Sequence, residues 1–366
     1  MKVKLEDVCE RGSSNLKLSD VENSSGEFPI YGASGYIGNV DFYHQDKKYV
    51  AVIKDGAGVG RTTLHPAKSS VIGTMQYLIP KDNIIPEYLY YVVRNMHLEK
   101  YYTGATIPHI YFKDYKNEKF NLNSIDKQRE IVNILNKCEK IIIKRQNQLK
   151  SLDELVRARF VEMFGDPISN PMKWETKKLE EYIIFLTSGS RGWAKYFTEK
   201  ENELFITIKN VKNNKISMND IQYVEAPKNK EAERTKVKSG DLLISITADL
   251  GRTGVVDEEI ADRGAYINQH LSLVRLDKNC INPMFVSYYL ETEGGKIQFE
   301  SKNQTGVKAG LNFEAIKSLN IIVPPIELQN KYLSFVQQVD KSKVTIKKSL
   351  KETQTLFDSL MQKYFG

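Results

Sequence analysis

Apolar positions along this chain follow two rhythms. In segments 125–165 and 326–366 they return at alternating spacings of four and three. The first segment carries Ile131, Leu135, Cys138, Ile142, Leu149, Leu152 and Val156; the second carries Tyr332, Val336, Val339, Ile346, Leu350 and Phe357. A heptad held this long predicts one long helix with a narrow apolar seam in each segment. Roughly 40 residues at about 1.5 Å each would make a rod of about 60 Å. Asn123 or Ser124 can cap the first helix, with Asp126 in its first turn, and Pro325 suits the first turn of the second. Gly165 followed by Asp166-Pro167 ends the first.

The remaining stretches, 1–124 and 166–323, hold short β-branched and aromatic runs broken by Gly, Asn and Asp: YVAVIKDG, DLLISITADLG, LSLVRL, NIIVPP. These predict strands and turns, with short helices near 86–95 and 283–292. The fold class is α+β: a globule (1–124), a spacer helix (125–165), a second globule (166–323) and a second spacer helix (324–366).

The second half repeats the first. Lys4-Leu5-Glu6-Asp7 matches Lys178-Leu179-Glu180-Glu181, Gly60-Arg61-Thr62 matches Gly251-Arg252-Thr253, and Gln76 is aligned with Gln269. Pro86 and Tyr91 match Pro283 and Tyr288, Thr103-Gly104 matches Thr305-Gly306, and Phe112 matches Phe313. From Ile125 to Gly165 and from Ile326 to Gly366 the copies align without a gap at a constant offset of 201. Two seams of equal length and register predict that the helices pack on each other, antiparallel, as a spacer; packing of each on its own globule is the alternative. Arg145 in the first copy and Lys343 and Thr353 in the second interrupt the seam with polar groups, which fix register at some cost in stability.

Charge and composition narrow the class. The 366 residues carry a formal net charge of +7, which favours a polyanionic partner. The start, MKVKLEDV, has no apolar stretch of signal-peptide type, and no run is long enough to span a bilayer, so no membrane role is expected. Cys9, Cys138 and Cys280 lie far apart, which argues against a disulfide framework or a zinc cluster and suits a reducing cytoplasm.

Catalytic signatures are missing. Asp55-Gly56-Ala57-Gly58-Val59-Gly60-Arg61 fails the G-x-G-x-x-G spacing, and no G-x-x-x-x-G-K-[ST] occurs. Asn170-Pro171-Met172-Lys173-Trp174 lacks the second proline of an adenine-methyltransferase loop and reads as a turn. The five histidines, at 44, 65, 97, 109 and 270, have no metal-ligand spacing, and a lone one such as His270 reads as an ordinary core or surface residue.

Motifs then point to a family. KVKLEDV, GVGRT, SIDKQREI (Ile125, Gln128) and RFVEMFGDPISNPMKW (Arg159 to Trp174), followed by TKKLEEY, LGRTGVV and PIELQNKYL (Ile326, Gln329), resemble the specificity subunits of type I restriction-modification systems. The resemblance covers essentially the whole chain. It implies a non-catalytic subunit in which each globule is a target-recognition domain reading half of a split site in double-stranded DNA. It implies an antiparallel spacer that sets the distance between half-sites. It also implies two modification subunits that carry S-adenosylmethionine and methylate adenine, with motor-nuclease subunits as optional further partners. No cofactor is expected in this chain itself.

Loop residues of DNA-contacting type are the candidate readers. In the first globule these are Lys54, Arg61 and Thr62 around the glycine turn, with His109, Tyr111 and Lys113 near the helix entry. In the second they are Arg191, Trp193 and Lys195, then Arg252 and Thr253, then Lys308 and Asn312. Because Gly-Arg recurs in both copies, it suits a shared task, phosphate contact or fold support, better than base reading. Trp193 reads equally well as core, and the lysines from Lys228 to Lys238 read as a solvated face. Two rivals remain: a self-sufficient DNA methyltransferase or nuclease, and a coiled-coil adaptor with no DNA role.

Overall fold

The computed structural model describes residues 1–22, 24–104, 108–303 and 310–366. Contacts divide the chain into two compact units: Met1–Leu149 with Thr345–Gly366, and Lys150–Val344. Each unit thus holds one globule and a piece of both long helices.

In the first unit the ends of the globule are zipped together by an antiparallel pair, Lys2–Lys4 with Lys119–Asn121. Its main sheet is antiparallel, in the order Cys9–Ser13, Met75–Pro80, Tyr49–Ile53, Thr62–His65. Tyr49–Ile53 is buried at every position, as its unbroken apolar run requires of a strand covered on both faces. A smaller sheet runs Gly35–Val40, Phe28–Gly32, Ser70–Val71, its last pairing parallel. Helix Pro86–Asn95, opened by its proline, buries Tyr88, Leu89, Tyr91, Val92 and Val93 in the core.

The second unit repeats this plan. Thr176–Lys178 pairs with Asn320–Ile322, and the main sheet runs Ile183–Ser188, Leu271–Leu276, Leu242–Ser245, Thr253–Val255. That order matches the first unit strand for strand. Here the sheet continues through Asn214–Ile216 and Val211–Lys212. The smaller sheet again contains a parallel pair, Glu203–Ile206 with Ala265–Ile267.

The register corrects one sequence anchor. Gln76 lies opposite Val52, whereas the residue opposite Ile244, the counterpart of Val52, is Ser272. Gln76 therefore corresponds to Ser272, and Gln269 lies three residues outside register. The Thr305-Gly306 anchor falls outside the described residues.

The long helices span Ile125–Phe164 and Ile326–Phe365, 40 residues each. Ser124 caps the first: its Oγ accepts from Lys127 N at 3.4 Å. Pro325 stands one residue before the second helix and not within its first turn, its carbonyl accepting from Leu328 N and Gln329 N. In the first unit Ile131, Leu135, Cys138 and Ile142 share one core with Phe357 and Met361, and Leu350 packs against it. In the second, Val156, Phe160 and Phe164 share a core with Tyr332, Val336 and Val339, and Leu152 packs against it. Leu149 and Ile346, midway along the helices, are half-buried. The pairing is antiparallel within each unit. Tyr332 donates its hydroxyl hydrogen to the Val156 carbonyl while Lys343 pairs with Asp153 at 2.6 Å. In the first unit, the helix Pro86–Asn95 sets Tyr91 against both Glu139 and the ring of Phe357, and Tyr88 against Phe365.

Candidate DNA-recognition surface

The sequence motif Ile-x-x-Gln has a mechanical role in both copies. Gln128 is fully buried; its Oε1 accepts from Ile85 N at 2.9 Å, and its Nε2 donates to the carbonyls of Asn83 and Asn123, each at 2.9 Å. Gln329, also fully buried, accepts from Asn282 N at 3.0 Å and donates to Pro324 O at 2.8 Å. Ile85 and Asn282 each precede the proline that opens the globule's helix. A glutamine on each spacer helix therefore satisfies backbone groups at the start of the globule helix, locking helix to globule.

The glycine turns also coincide. Gly60 N donates to Ile53 O at 2.8 Å and Ile53 N to Arg61 O at 2.9 Å; Gly251 N donates to Ser245 O at 3.0 Å and Ser245 N to Arg252 O at 2.9 Å. Gly60 has φ +85° and Gly251 φ +77°. A Cβ would lie 2.4 Å from Glu99 N in the first case and 2.2 Å from the Phe299 ring in the second. Only glycine fits, so the recurrence of these glycines is explained by the fold.

Beyond the central strand of the first globule, Ile110 N donates to Lys54 O and Gly56 N to Pro108 O, both at 3.0 Å. These bonds bring the candidates Lys54, His109, Tyr111 and Lys113 together. Lys54 Nζ pairs with Asp55 at 2.7 Å, and the other oxygen of Asp55 receives His109 Nδ1. The His109 and Tyr111 rings lie 4.1 Å apart, and Lys113 Nζ sits 5.1 Å from the centre of the exposed Tyr111 ring. Partial burial, then the Lys54 charge, lowers the His109 pKa. Arg61 is exposed and folds back to donate to the Ala33 carbonyl.

Three candidates are corrected by burial. Trp193 lies in the core, stacked on Phe205 at 5.2 Å and beside Tyr266 at 5.0 Å. Thr253 is fully buried, its hydroxyl bonded to Ser287 Oγ at 2.8 Å and its backbone N to Glu291 at 2.8 Å. Thr62 is buried too, its hydroxyl turned to Gly60 O. None of the three presents a surface to DNA. Arg191 and Lys195 flank Trp193 in exposed positions. Arg252 pairs with Asp249 at 2.7 Å. Asn312 is exposed but caps the short helix Phe313–Lys317 by accepting from Ala315 N at 2.8 Å. Lys308 lies outside the described residues.

Sequence reasoning missed the matching cluster in the second globule. Ile246 N donates to His270 O at 3.0 Å and Leu311 N to Ile246 O at 2.9 Å, repeating the bonds of Lys54 to Thr74 and of Ile110 to Lys54. Thr247 Oγ1 lies 2.6 Å from His270 Nδ1, and Gln269 Nε2 lies 3.1 Å from His270 Nε2. Ser190 bridges Asn268, which carries the loop of Arg191 to this end of the sheet. Nothing in sequence spacing marks His270, because its partner comes from a turn 23 residues away. Among the described residues no group of three or more His, Cys, Asp or Glu is placed to hold a metal ion, and no helix is long and apolar enough to cross a membrane.

Two copies of one sheet, each fastened to paired long helices and each ending in a cluster of different polar groups, define a duplicated recognition scaffold. Known proteins share this fold. The family model for the type I restriction modification DNA specificity domain matches residues 1–152 and again 171–354. The type I restriction enzyme MjaVIII specificity subunit of Methanocaldococcus jannaschii is 23% identical over 322 residues, covering 83% of this chain and 74% of that one. The EcoBI specificity subunit of Escherichia coli is 21% identical over 170 residues, covering 45% of this chain and 35% of its own length. Among solved structures, the type I restriction-modification S subunit from M. genitalium superposes with a TM-score of 0.64 at 17% identity, covering 100% of this chain and 96% of that one. A chain from a structure describing complex assembly and conformational transition of the type I R-M system gives 0.57 at 17% identity, covering 100% of this chain and 97% of the other. The chain belongs to the type I restriction-modification DNA specificity family. As a specificity subunit it contributes recognition, and the chemistry lies with other subunits of the system.

Proposed function

We propose that this chain reads a two-part site in double-stranded DNA and holds two modification subunits over it. Residues 1–124 and 166–323 serve as the two target-recognition domains, and 125–165 and 324–366 as the spacer that sets the separation of the half-sites. The observation that carries this reading is the duplicated frame: the same strand order, glycine turn and glutamine lock occur twice, with different side chains at the loop ends. A chain that carries the same frame twice offers like surfaces twice, which suits two copies of one partner. S-adenosylmethionine belongs to those partners, where the target adenine is flipped out for methylation, so this chain needs no pocket for chemistry. Motor-nuclease subunits are optional further members of the same assembly, which works in the cytoplasm.

The exposed cations Arg61, Lys113, Arg191 and Lys195 are proposed phosphate contacts. Each phosphate neutralised releases counterions, so affinity falls steeply with salt. With about six such contacts in the assembled complex, binding weakens roughly 10³-fold between 50 and 200 mM salt. A titration of the complex on its own DNA site checks this, and a flat response overturns the assignment. Reconstituted complexes carrying residues 1–124 from another specificity subunit test the division of labour. Only one half of the methylated sequence changes if the reading holds. An unchanged site overturns it and favours the adaptor reading; methylation by the purified chain alone favours an enzyme.

A further inference from the structure

The two globules bring an imidazole to the same place by different routes. The backbone bonds make Lys54 equivalent to Ile246 and Thr74 equivalent to His270, and therefore make Asp55 equivalent to Thr247. In the first globule Asp55 holds His109 by Nδ1; in the second Thr247 holds His270 by Nδ1. The two histidines are not equivalent to each other. At the constant offset of the flanking segment His109 corresponds to Gly310, and His270 corresponds to Thr74. Neither position needs an imidazole for the fold, since the other copy builds the same frame from glycine or threonine. Thr74 Oγ1, at the place His270 occupies in the other copy, is buried without a hydrogen-bond partner.

The chemistry of the two is also alike. The Asp55 carboxylate can only accept, so His109 carries its proton on Nδ1 and leaves Nε2 as an acceptor. Among the described residues Nε2 of His109 has no partner. The Gln269 amide nitrogen donates to Nε2 of His270, which sets the same tautomer and leaves Gln269 Oε1 as the remaining acceptor. Both clusters stand at the strand end beside the glycine turn. Lys54 and Lys113 flank the first, and Ser190 brings the Arg191 loop to the second.

We propose that His109, and His270 together with Gln269, are specificity-determining residues of the two half-sites, each accepting a hydrogen bond from an exocyclic amino group of adenine or cytosine in the major groove. Asp55 and Thr247 are positioning residues that fix the tautomer. This rests on the two-part reading above and names the contacts within it.

The test uses the full chain reconstituted with its modification subunits, methylating a randomised duplex library that is then sequenced. His109→Ala is expected to relax one base pair in one half-site about tenfold, and His270→Ala one base pair in the other half-site only. His109→Gln, which keeps a hydrogen-bonding group on the turn, is expected to shift the preference at that base pair while the complex melts as the parent does. Unchanged consensus sequences in His109→Ala and His109→Gln overturn the inference and leave the two-part reading intact. A uniform loss at every base pair also overturns it, assigning the histidines to the frame. A parent complex that selects no two-part sequence overturns both.

Discussion

The two globules share a backbone and differ in how they fill it. Position 49 in the first globule is Tyr and position 79 is Ile; both belong to an apolar cluster, Tyr49 at its centre and Ile79 packed on its edge. Strand register places Asp241 and Arg275 at these positions in the second. There the buried Asp241 carboxylate receives Arg275 through both Nε (2.7 Å) and Nη2 (2.6 Å) and also accepts from Lys238 N at 2.7 Å. One frame thus tolerates an apolar pair and a bidentate ion pair at the same site. A sheet that accepts either is held by strand order and backbone bonding, which leaves side chains free to diverge.

That contrast is broken most severely by removing one ion partner. Arg275→Ile leaves Asp241 buried and unpaired and is expected to destabilise the second unit by about 3–5 kcal/mol. The double variant Asp241→Tyr with Arg275→Ile, copying the first globule, recovers most of the loss. Both tryptophans, Trp174 and Trp193, lie in the second unit, so tryptophan fluorescence in urea reads this unit alone. No recovery in the double variant means the two sites are not interchangeable.

The next effect separates the units by pH. His65 is buried against Tyr49 and Tyr31, and desolvation pushes its pKa down to about 4. A folded pKa below the unfolded value of about 6.5 means the stabilisation is complete above pH 6.5 and is lost as pH falls toward 4. The first unit should lose about 2–3 kcal/mol between pH 7 and 4.5 from this group. The lowered pKa of His109 acts in the same direction. The fifth histidine, His270, is half-buried in the second unit, which lacks a buried counterpart among the described residues. Melting curves by circular dichroism and by tryptophan fluorescence should coincide at pH 7 and separate in acid. His65→Gln should close much of the gap.

A smaller effect is expected to be equal in both copies. Gln128→Leu and Gln329→Leu each strand buried backbone groups at the start of a globule helix and should each cost about 2 kcal/mol. Unequal costs, read from the same two probes, would show that the lock differs between copies.

Much of the frame was legible in the chain because it repeats under physical constraint. The heptads, the proline-opened helices and the glycines with positive φ recur wherever backbone geometry demands them. The Gln76 anchor failed for a complementary reason: a strand is specified by its apolar alternation and tolerates many polar residues, so a matched glutamine carries little register information. The candidate recognition surface was partly legible: Lys54, His109, Tyr111 and Lys113, chosen for residue type and for standing near a turn or a helix entry, come together in one cluster, whereas Trp193 and Thr253 also flank turns yet face inward. His270 was hidden because its role depends on Thr247, a contact made by strand order and not by spacing.

The finest distinction between the copies lies on the spacer itself. The offset of 201 aligns Ile142 with Lys343. Ile142 is buried in the first unit's core; Lys343 is mostly buried in the second, its Nζ 2.6 Å from Asp153 and 3.8 Å from Asp340. Asp153 is largely exposed, so water already solvates that carboxylate and the pair gains little over hydration. Replacing the lysine by the isoleucine of the other copy trades a weak ion pair for apolar burial. Lys343→Ile should therefore leave stability within about 1 kcal/mol of the parent, on the stabilising side. What it should lose is discrimination between registers, because a polar group in an apolar seam penalises every alignment that deprives it of a partner. Multiple species in light scattering or split amide resonances from the helix pair would reveal that loss. A single well-ordered species would show that the globules and their glutamine locks hold the register without it.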